Sequence, residues 1–398
     1  MYQIKFIVSN YLLLFVTFLH IRILMQNCTL VVLGAGSSSR FNHNTKKQWI
    51  RIDETPLWLK TTQRLSSFAN FKNIIVVGHT KEINYMKNYS NEYIYVAGGD
   101  TRQQSMSNAL DLVDTPFVMV TDVARACIPK EVINNLIENQ TKADCIVPIL
   151  TVSDTVVYDT TTINRDDVKL IQTPQLSKTT ILKQALKSSD DFTDDSSAIK
   201  KYGSSVFYVQ GSSKSTKLTF GQELYSLDCL TKPSSDCFNG TGYDIHPFEQ
   251  NKQMVLGGVK IDSPFGFKAH SDGDVLIHSV IDALLGSIGA GDIGEFFPDT
   301  NMKYKDANSV TMLEEIVDFV TNVGYELVNV DITIIAQIPK INPHKQNIKD
   351  TMAKILNLPN NKVNIKATTA EKLGFIGRSE GVAVQSSATV KYYNWRKD

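Results

Sequence analysis

Apolar and polar positions follow two rhythms along this chain. A short continuous apolar run rich in β-branched residues occupies residues 29–33 (TLVVL) and reads as a buried parallel strand, and residues 73–78 (NIIVVG) and 117–122 (FVMVTD) read as two more buried strands. Residues 58–68 and 104–112 place apolar side chains at three- and four-residue spacing, the signature of helices laid on a sheet. Strands alternating with helices predict an α/β domain with a doubly wound, Rossmann-like parallel sheet, whose ligands bind at the carboxyl ends of the strands. Beyond residue 237 the pattern changes. Residues 328–335 alternate apolar with polar like a half-buried strand, residues 363–367 and 381–385 read as further strands, and residues 311–320 and 346–356 read as helices. Leu276, Ile277, Val280, Ile281, Leu284 and Leu285 form another helical stripe. Together they predict a second domain, a compact α/β sandwich over residues 238–398, joined to the first (27–227) by a Pro- and Ser-containing tether at 228–237.

A chain of 398 residues is too long for one ordinary core, which agrees with two domains. Lys plus Arg and Asp plus Glu are equal at 41 each, so nothing global favours nucleic acid or a membrane surface, and any charge that binds phosphate must be local. The five cysteines are scattered without a C-x-x-C pair, from which reduced thiols and a reducing, cytoplasmic compartment are expected. Residues 1–26 form an apolar extension too short for a membrane span and lacking a signal-peptide cleavage pattern. Met25 stands just before the first strand, and translation is expected to start there.

Chemistry enters at the strand ends. The run at 29–33 passes into Gly34-Ala35-Gly36-Ser37-Ser38-Ser39-Arg40, where small residues let backbone N–H groups approach a phosphate. It fits neither the P-loop nor the full dinucleotide fingerprint. Arg40, Lys47, Asp122 and Arg125 all fall just after strand ends or in adjoining loops.

In the second domain, Asp244 and His246 are two apart, so a strand sends both side chains from one face. His278 lies on the apolar-striped helix, and Ser271, Asp272 and Asp274 precede it where short oxygen side chains cap a helix start. One carboxylate and two imidazoles with a fourth position open is the ligand count of a catalytic zinc site, although a lone Asp-x-His is also ordinary surface chemistry.

The run His270-Ser271-Asp272-Gly273-Asp274 with His278, then Gly291-Asp292-Ile293-Gly294 and Lys366-Ala367-Thr368-Thr369-Ala370-Glu371-Lys372-Leu373-Gly374-Phe375, resembles the 2-C-methyl-D-erythritol 2,4-cyclodiphosphate synthase family over about residues 238–391. Leu33 to Arg40, Lys46-Lys47-Gln48-Trp49, Gly98-Gly99-Asp100-Thr101-Arg102, Asp122-Val123-Ala124-Arg125, Thr173-Pro174-Gln175 and Lys217-Leu218-Thr219 resemble 2-C-methyl-D-erythritol 4-phosphate cytidylyltransferases over about residues 27–227. Lys46 departs from that family's usual Pro, Gly34 from an Ala and Ala126 from a Pro, which puts loop rigidity in question but removes no charge.

The resemblance implies a bifunctional enzyme of the non-mevalonate isoprenoid route. It would transfer CMP from CTP to methylerythritol phosphate, then close the diphosphocytidyl phosphate product of a separate kinase into a ring with loss of CMP. For the first activity it implies Arg40 and Lys47 on the triphosphate beside the Gly34, Ala35 and Gly36 loop, and Asp122 on Mg²⁺. Arg165 and Lys217 would grip the methylerythritol phosphate, Arg125 would be among the substrate or nucleotide contacts, and Gly98, Asp100, Arg102 and Ser105 would lie around cytidine. For the second it implies Zn²⁺ on Asp244, His246 and His278, with His270 and Thr369 stabilising developing charge. Thr368 and Glu371 would place the diphosphate and its Mg²⁺, and Ser271, Asp292, Gly294, Phe375 and Arg378 would lie around the substrate. It further implies a homo-oligomer, a trimer or a multiple of one, and at most loose association with the kinase. The competing reading is a nucleotide-binding sensor or scaffold with a structural zinc module.

Overall fold

A computed structural model of the chain describes residues 27–396, except 189, 191, 270, 299, 302, 303, 305 and 306. The apolar extension and His270 thus lie outside the described residues. The chain divides into two compact units between Lys232 and Pro233.

The first unit is built on an eight-stranded sheet. Its central strand, Cys28–Leu33, runs parallel between Phe117–Asp122 and Asn73–Gly78, and Ile94–Ala97 adds a further parallel strand beyond the latter. Leu30, Val31, Val32, Ile75, Val76, Val77, Val118, Met119 and Val120 are all fully buried, which is why these stretches read as unbroken apolar runs. The far half is not parallel throughout. Gln175–Lys178 inserts antiparallel between Phe117–Asp122 and Cys145–Thr151, and Lys169–Ile171 is antiparallel to the latter, whereas Val206–Gln210 joins it parallel. A four-residue strand, Gln-Leu-Ser-Lys, carries too little periodicity to announce its direction. The expected helices appear as Leu57–Ser66 and Arg102–Leu110, the second capped by Thr101, whose Oγ1 accepts from the Gln104 N–H at 3.1 Å.

The expectation of five reduced thiols is corrected at one pair. Cys127 and Cys229 are joined as a disulfide across 102 residues, a separation that no local spacing signals, while Cys28 and Cys145 are buried free thiols and Cys237 an exposed one. Among the described residues, no helix is long and apolar enough to cross a membrane.

The second unit carries a five-stranded sheet in the order Phe265–Phe267, Cys237–Gln250, Gly381–Tyr392, Tyr325–Ile335, Val363–Thr368. The helix Val275–Ile288 packs on the second and third of these, and its apolar stripe is fully buried from Val275 through Leu285 at the expected positions. Gly240 and Gly242 alternate on the strand beneath it, and a Cβ at either would overlap the helix backbone. The helix therefore lies closer to the sheet than any side chain would permit. Helices Ser309–Asn322 and Lys345–Ile355 complete the layer.

Candidate active sites

In the first unit the turn after the central strand is tied down on both sides. The Gly34 N–H donates to the Val77 carbonyl at 2.8 Å, and a Cβ there would press on both Val123 and that carbonyl. Gly98 faces Ala35 so closely that a Cβ would overlap the alanine methyl. Ser105, buried, accepts from the Gly99 N–H at 3.1 Å and donates to the Gly99 carbonyl at 3.3 Å, so its hydroxyl shapes the turn. The Asp100 N–H donates to Gln104 Oε1, leaving the side chain exposed.

The Lys47 loop is bound to the same turn. Ser38 Oγ accepts from the Lys47 N–H at 3.1 Å and donates to Gln48 Oε1 at 3.0 Å, while Gln48 Nε2 donates to the Gly36 carbonyl at 3.0 Å. Lys46, the departure from Pro, pairs with the buried carboxylate of Glu82, which also accepts from Trp49 Nε1 at 2.7 Å. A buried ion pair thus anchors the loop where a ring is missing.

Asp122, at the end of its strand, receives Lys217 Nζ at 2.7 Å and lies 3.7 Å from Arg102 Nε. Burial works to raise its pKa, but these two cations hold the carboxyl below the usual range. Lys47 is pushed down first by burial and then by the nearby positive charge of Lys217, with Arg40 adding to it and the carboxylates of Asp122 and Glu223 opposing, so three cations share this region with two carboxylates. Such an excess suits an anion with several phosphates. Arg102 directs its guanidinium to Asp195, at 2.9 Å, and to Asp122. Asp195 is fully buried as that counter-ion, and its neighbour Asp194 caps the helix, accepting from the Ser197 N–H at 3.2 Å. Arg125 is buried and donates to the Ser215 carbonyl, bracing the segment that leads into Lys217. Arg165 stands on an exposed arm beyond the hairpin Val156–Tyr158 and Thr161–Ile163, where it donates to the Ser153 carbonyl.

In the second unit the structure brings Asp244, His246 and His278 together, with one candidate ligand atom from each lying within 4.8 Å of the others. Asp244 Oδ2 is 3.1 Å from His246 Nε2 and 3.3 Å from His278 Nδ1. His246 Nδ1 lies 2.9 Å from the Gly273 carbonyl, which can only accept, so Nδ1 carries the proton and Nε2 presents a lone pair. Asp244 Oδ2 is itself buried with no hydrogen-bond donor. Acceptors that converge on one point without a donor fit a cation. Against the effect of its burial, the two imidazoles hold the Asp244 carboxyl far below the usual carboxylate range, and Asp244 raises His246 despite burial, so without an ion a proton between them is favoured, and a cation would take that proton's place.

The neighbouring carboxylates are otherwise engaged. Asp274 accepts from the Gly257, Gly258 and Ile277 N–H groups, the last as cap of its own helix. Asp272 accepts from the Ser309 N–H at 3.1 Å at the start of a different helix, which spacing along the chain could not reveal. Asp282 accepts from the Ile293 N–H at 2.9 Å and so fixes the turn of Asp292 and Gly294, making the helix contact rather than a metal bond. Ser271 Oγ lies 3.4 Å from His278 Nε2.

Thr368, Thr369 and Glu371 lie elsewhere on the sheet. Thr368 is paired with Ile335, Ile335 with Ala383, and Ala383 with Ile245, so Thr368 is level with the metal triad but three strands away. That is about 14 Å at the usual strand spacing. Thr369 Oγ1 donates to Glu371 Oε1 at 2.7 Å, and Glu371 and Lys372 both hold left-handed backbone, φ 49° and 64°. Phe375 is exposed, as is Arg378, which pairs with Glu380 at 2.7 Å.

Both units thus assemble groups suited to phosphates, and the chain is a two-domain enzyme of nucleotide and phosphate-ester chemistry. The profile of 2-C-methyl-D-erythritol 4-phosphate cytidylyltransferase matches residues 28–231, and that of the YgbB family matches residues 238–391. A bifunctional enzyme IspD/IspF of Aliarcobacter butzleri is 62% identical over 373 residues, 94% of this chain and 100% of the relative. One from Campylobacter lari is 53% identical over the same shares. The solved structure of the bifunctional IspDF from Campylobacter jejuni matches with a TM-score of 0.82 at 49% identity, covering 93% of this chain and 100% of that one. The chain belongs to the bifunctional IspD/IspF family. It is a cytidylyltransferase followed by a cyclodiphosphate synthase, a nucleotidyltransferase and a lyase of the non-mevalonate pathway.

Proposed function

We propose that in the first unit Arg40, Lys47 and Lys217 neutralise the CTP phosphates and the methylerythritol phosphate, so that the sugar-alcohol phosphate reaches the α-phosphorus and pyrophosphate leaves. Transfer of this kind needs charge stabilisation more than covalent help. The supporting observation is the gathering of these cations beside Asp122. Asp122 would hold Mg²⁺, which when bound offsets charge on the triphosphate. Gly34, Ala35 and Gly36 give the phosphates a backbone approach, Gly98, Asp100 and Ser105 shape the cytidine side, Arg102 fixes Asp122, Arg125 braces the segment that carries Lys217, and Arg165 serves the sugar-phosphate side.

In the second unit, Asp244 Oδ2, His246 Nε2 and His278 Nδ1 are the atoms that would hold Zn²⁺. The orphaned Asp244 oxygen carries this reading. Bound there, the ion acts as a Lewis acid towards a phosphate oxygen and as a template. The ring closure is intramolecular, so orientation by the chain supplies much of the rate, on the order of 7 to 11 kcal/mol in favourable cases. Asp292 and Gly294 orient the methylerythritol part on the turn that Asp282 fixes, with Ser271 beside it. Thr368, Thr369, Glu371, Phe375 and Arg378 act on the diphosphate and CMP side with its Mg²⁺, and His270 steadies developing charge. The three-strand separation of Thr368 from the triad supports a neighbouring copy supplying these groups, within the trimer, or multiple of one, that the resemblance implies. The enzyme works in the cytoplasm on free small molecules, without nucleic acid and at most loosely with the intervening kinase.

Assay of both half-reactions on the purified chain tests the assignment. Pyrophosphate is expected from CTP plus methylerythritol phosphate, and CMP from the diphosphocytidyl phosphate, the second abolished by a strong chelator. CTP binding without pyrophosphate release would sink it.

A further inference from the structure

We propose that Ser309 and Asp272 form a relay that decides which nitrogen of His278 faces the metal, making both of them positioning residues for the cyclising site. The inference rests on the reading of Asp244, His246 and His278 as ligands. Ser309 is fully buried at the start of helix Ser309–Asn322. Its hydroxyl lies between His278 Nε2, at 3.1 Å, and Asp272 Oδ1, to which it is closely bonded. A carboxylate can only accept. Asp272 takes the Ser309 N–H on one oxygen, at 3.1 Å, and on the other the Ser309 hydroxyl together with the Asp274 N–H, at 3.3 Å.

The Ser309 proton is therefore committed to Asp272, and the oxygen has only lone pairs left for the imidazole. His278 must answer with Nε2–H, which leaves Nδ1 bare at 3.3 Å from Asp244 Oδ2. Ser271 Oγ, 3.4 Å from Nε2, already accepts from the Gly273 N–H and can make the same demand. His246 reaches the same condition by a different route, through the Gly273 carbonyl, and presents Nε2 instead. One imidazole offers Nδ1 and the other Nε2, each selected by a partner outside the triad. Outer partners of this kind are worth about 10- to 100-fold in metal affinity.

The test uses the full chain, nitrogen-15 labelled and stripped of metal, at about pH 9, where unperturbed imidazoles are neutral. The nitrogen spectrum of the unmodified protein is expected to show His278 as the Nε2–H tautomer. Ser309→Ala is expected to mix the tautomers and weaken Zn²⁺ or Co²⁺ binding about 10- to 100-fold in chelator competition. In Asp272→Asn one oxygen becomes an amide donor that faces either the Ser309 or the Asp274 N–H, which breaks the acceptor set holding the Ser309 proton, so mixed tautomers are expected with a similar loss. Cytidylyl transfer by the other unit reports that each variant is folded there, and circular dichroism that the whole chain is.

An Nδ1–H tautomer in the unmodified protein overturns the relay without any variant, and so does unchanged metal affinity in both variants. If the unmodified protein binds neither ion, the ligand reading falls instead, and the tautomer of His278 still tests the relay.

Discussion

Gly242 packs against the carbonyl of Ser279 with no room for a side chain between them. Through that approach a residue on the helix, His278, comes within reach of two residues on the strand, Asp244 and His246. Gly242→Ala would push strand and helix apart. Overpacking a tight interior costs about 1–3 kcal/mol, so a lower melting temperature is expected together with weaker metal binding. Melting curves and metal titration check both, and a variant with undiminished affinity would show that the glycine does not set the triad.

Removing a ligand should separate the two activities. His278→Ala or Asp244→Asn is expected to lower CMP release by at least about 100-fold, since a Lewis acid contributes several kcal/mol. Pyrophosphate release should stay near its starting rate. Equal losses in both assays would point to general unfolding.

Asp122 makes a pH prediction. Its folded pKa lies below the ordinary value, so its ionised form stabilises the fold fully above about pH 4, and that contribution is lost as pH falls through the depressed folded pKa. Lys217→Ala removes one of the cations that depress it, and should move the acid-unfolding midpoint to higher pH. A midpoint that stays in place, followed by circular dichroism, would contradict the pairing.

The Cys127–Cys229 disulfide closes a span of 102 residues in the first unit. Chain entropy alone gives such a loop about 4.7 kcal/mol of stabilisation. Cys127→Ser, Cys229→Ser and reduction of the unmodified protein should lower the melting temperature by similar amounts, and reductant should leave the variants unchanged. Thiol titration before and after denaturation would reveal a protein that lacks the bond.

What could be read along the chain was whatever repeats locally. The buried strands at 73–78 and 117–122 are legible because their middles, covered on both faces, are runs of Ile, Val and Met. The helix at 275–288 was visible in its stripe, and Asp244 with His246 in the two-residue period of a strand. The antiparallel entry of Gln175–Lys178 was not visible, because strand direction is a property of the partner.

By itself, then, the sequence determined the two α/β units, the order of their motifs and the residue types available for phosphate and metal. Tertiary structure alone decided which of those residues meet. It turned the Asp195 side chain to Arg102, Asp272 to Ser309 on another helix, Lys46 to a buried Glu82 and Cys127 to Cys229. Each partnership joins segments distant along the chain, and such pairings depend on how sheets and helices close upon one another, which no local periodicity records.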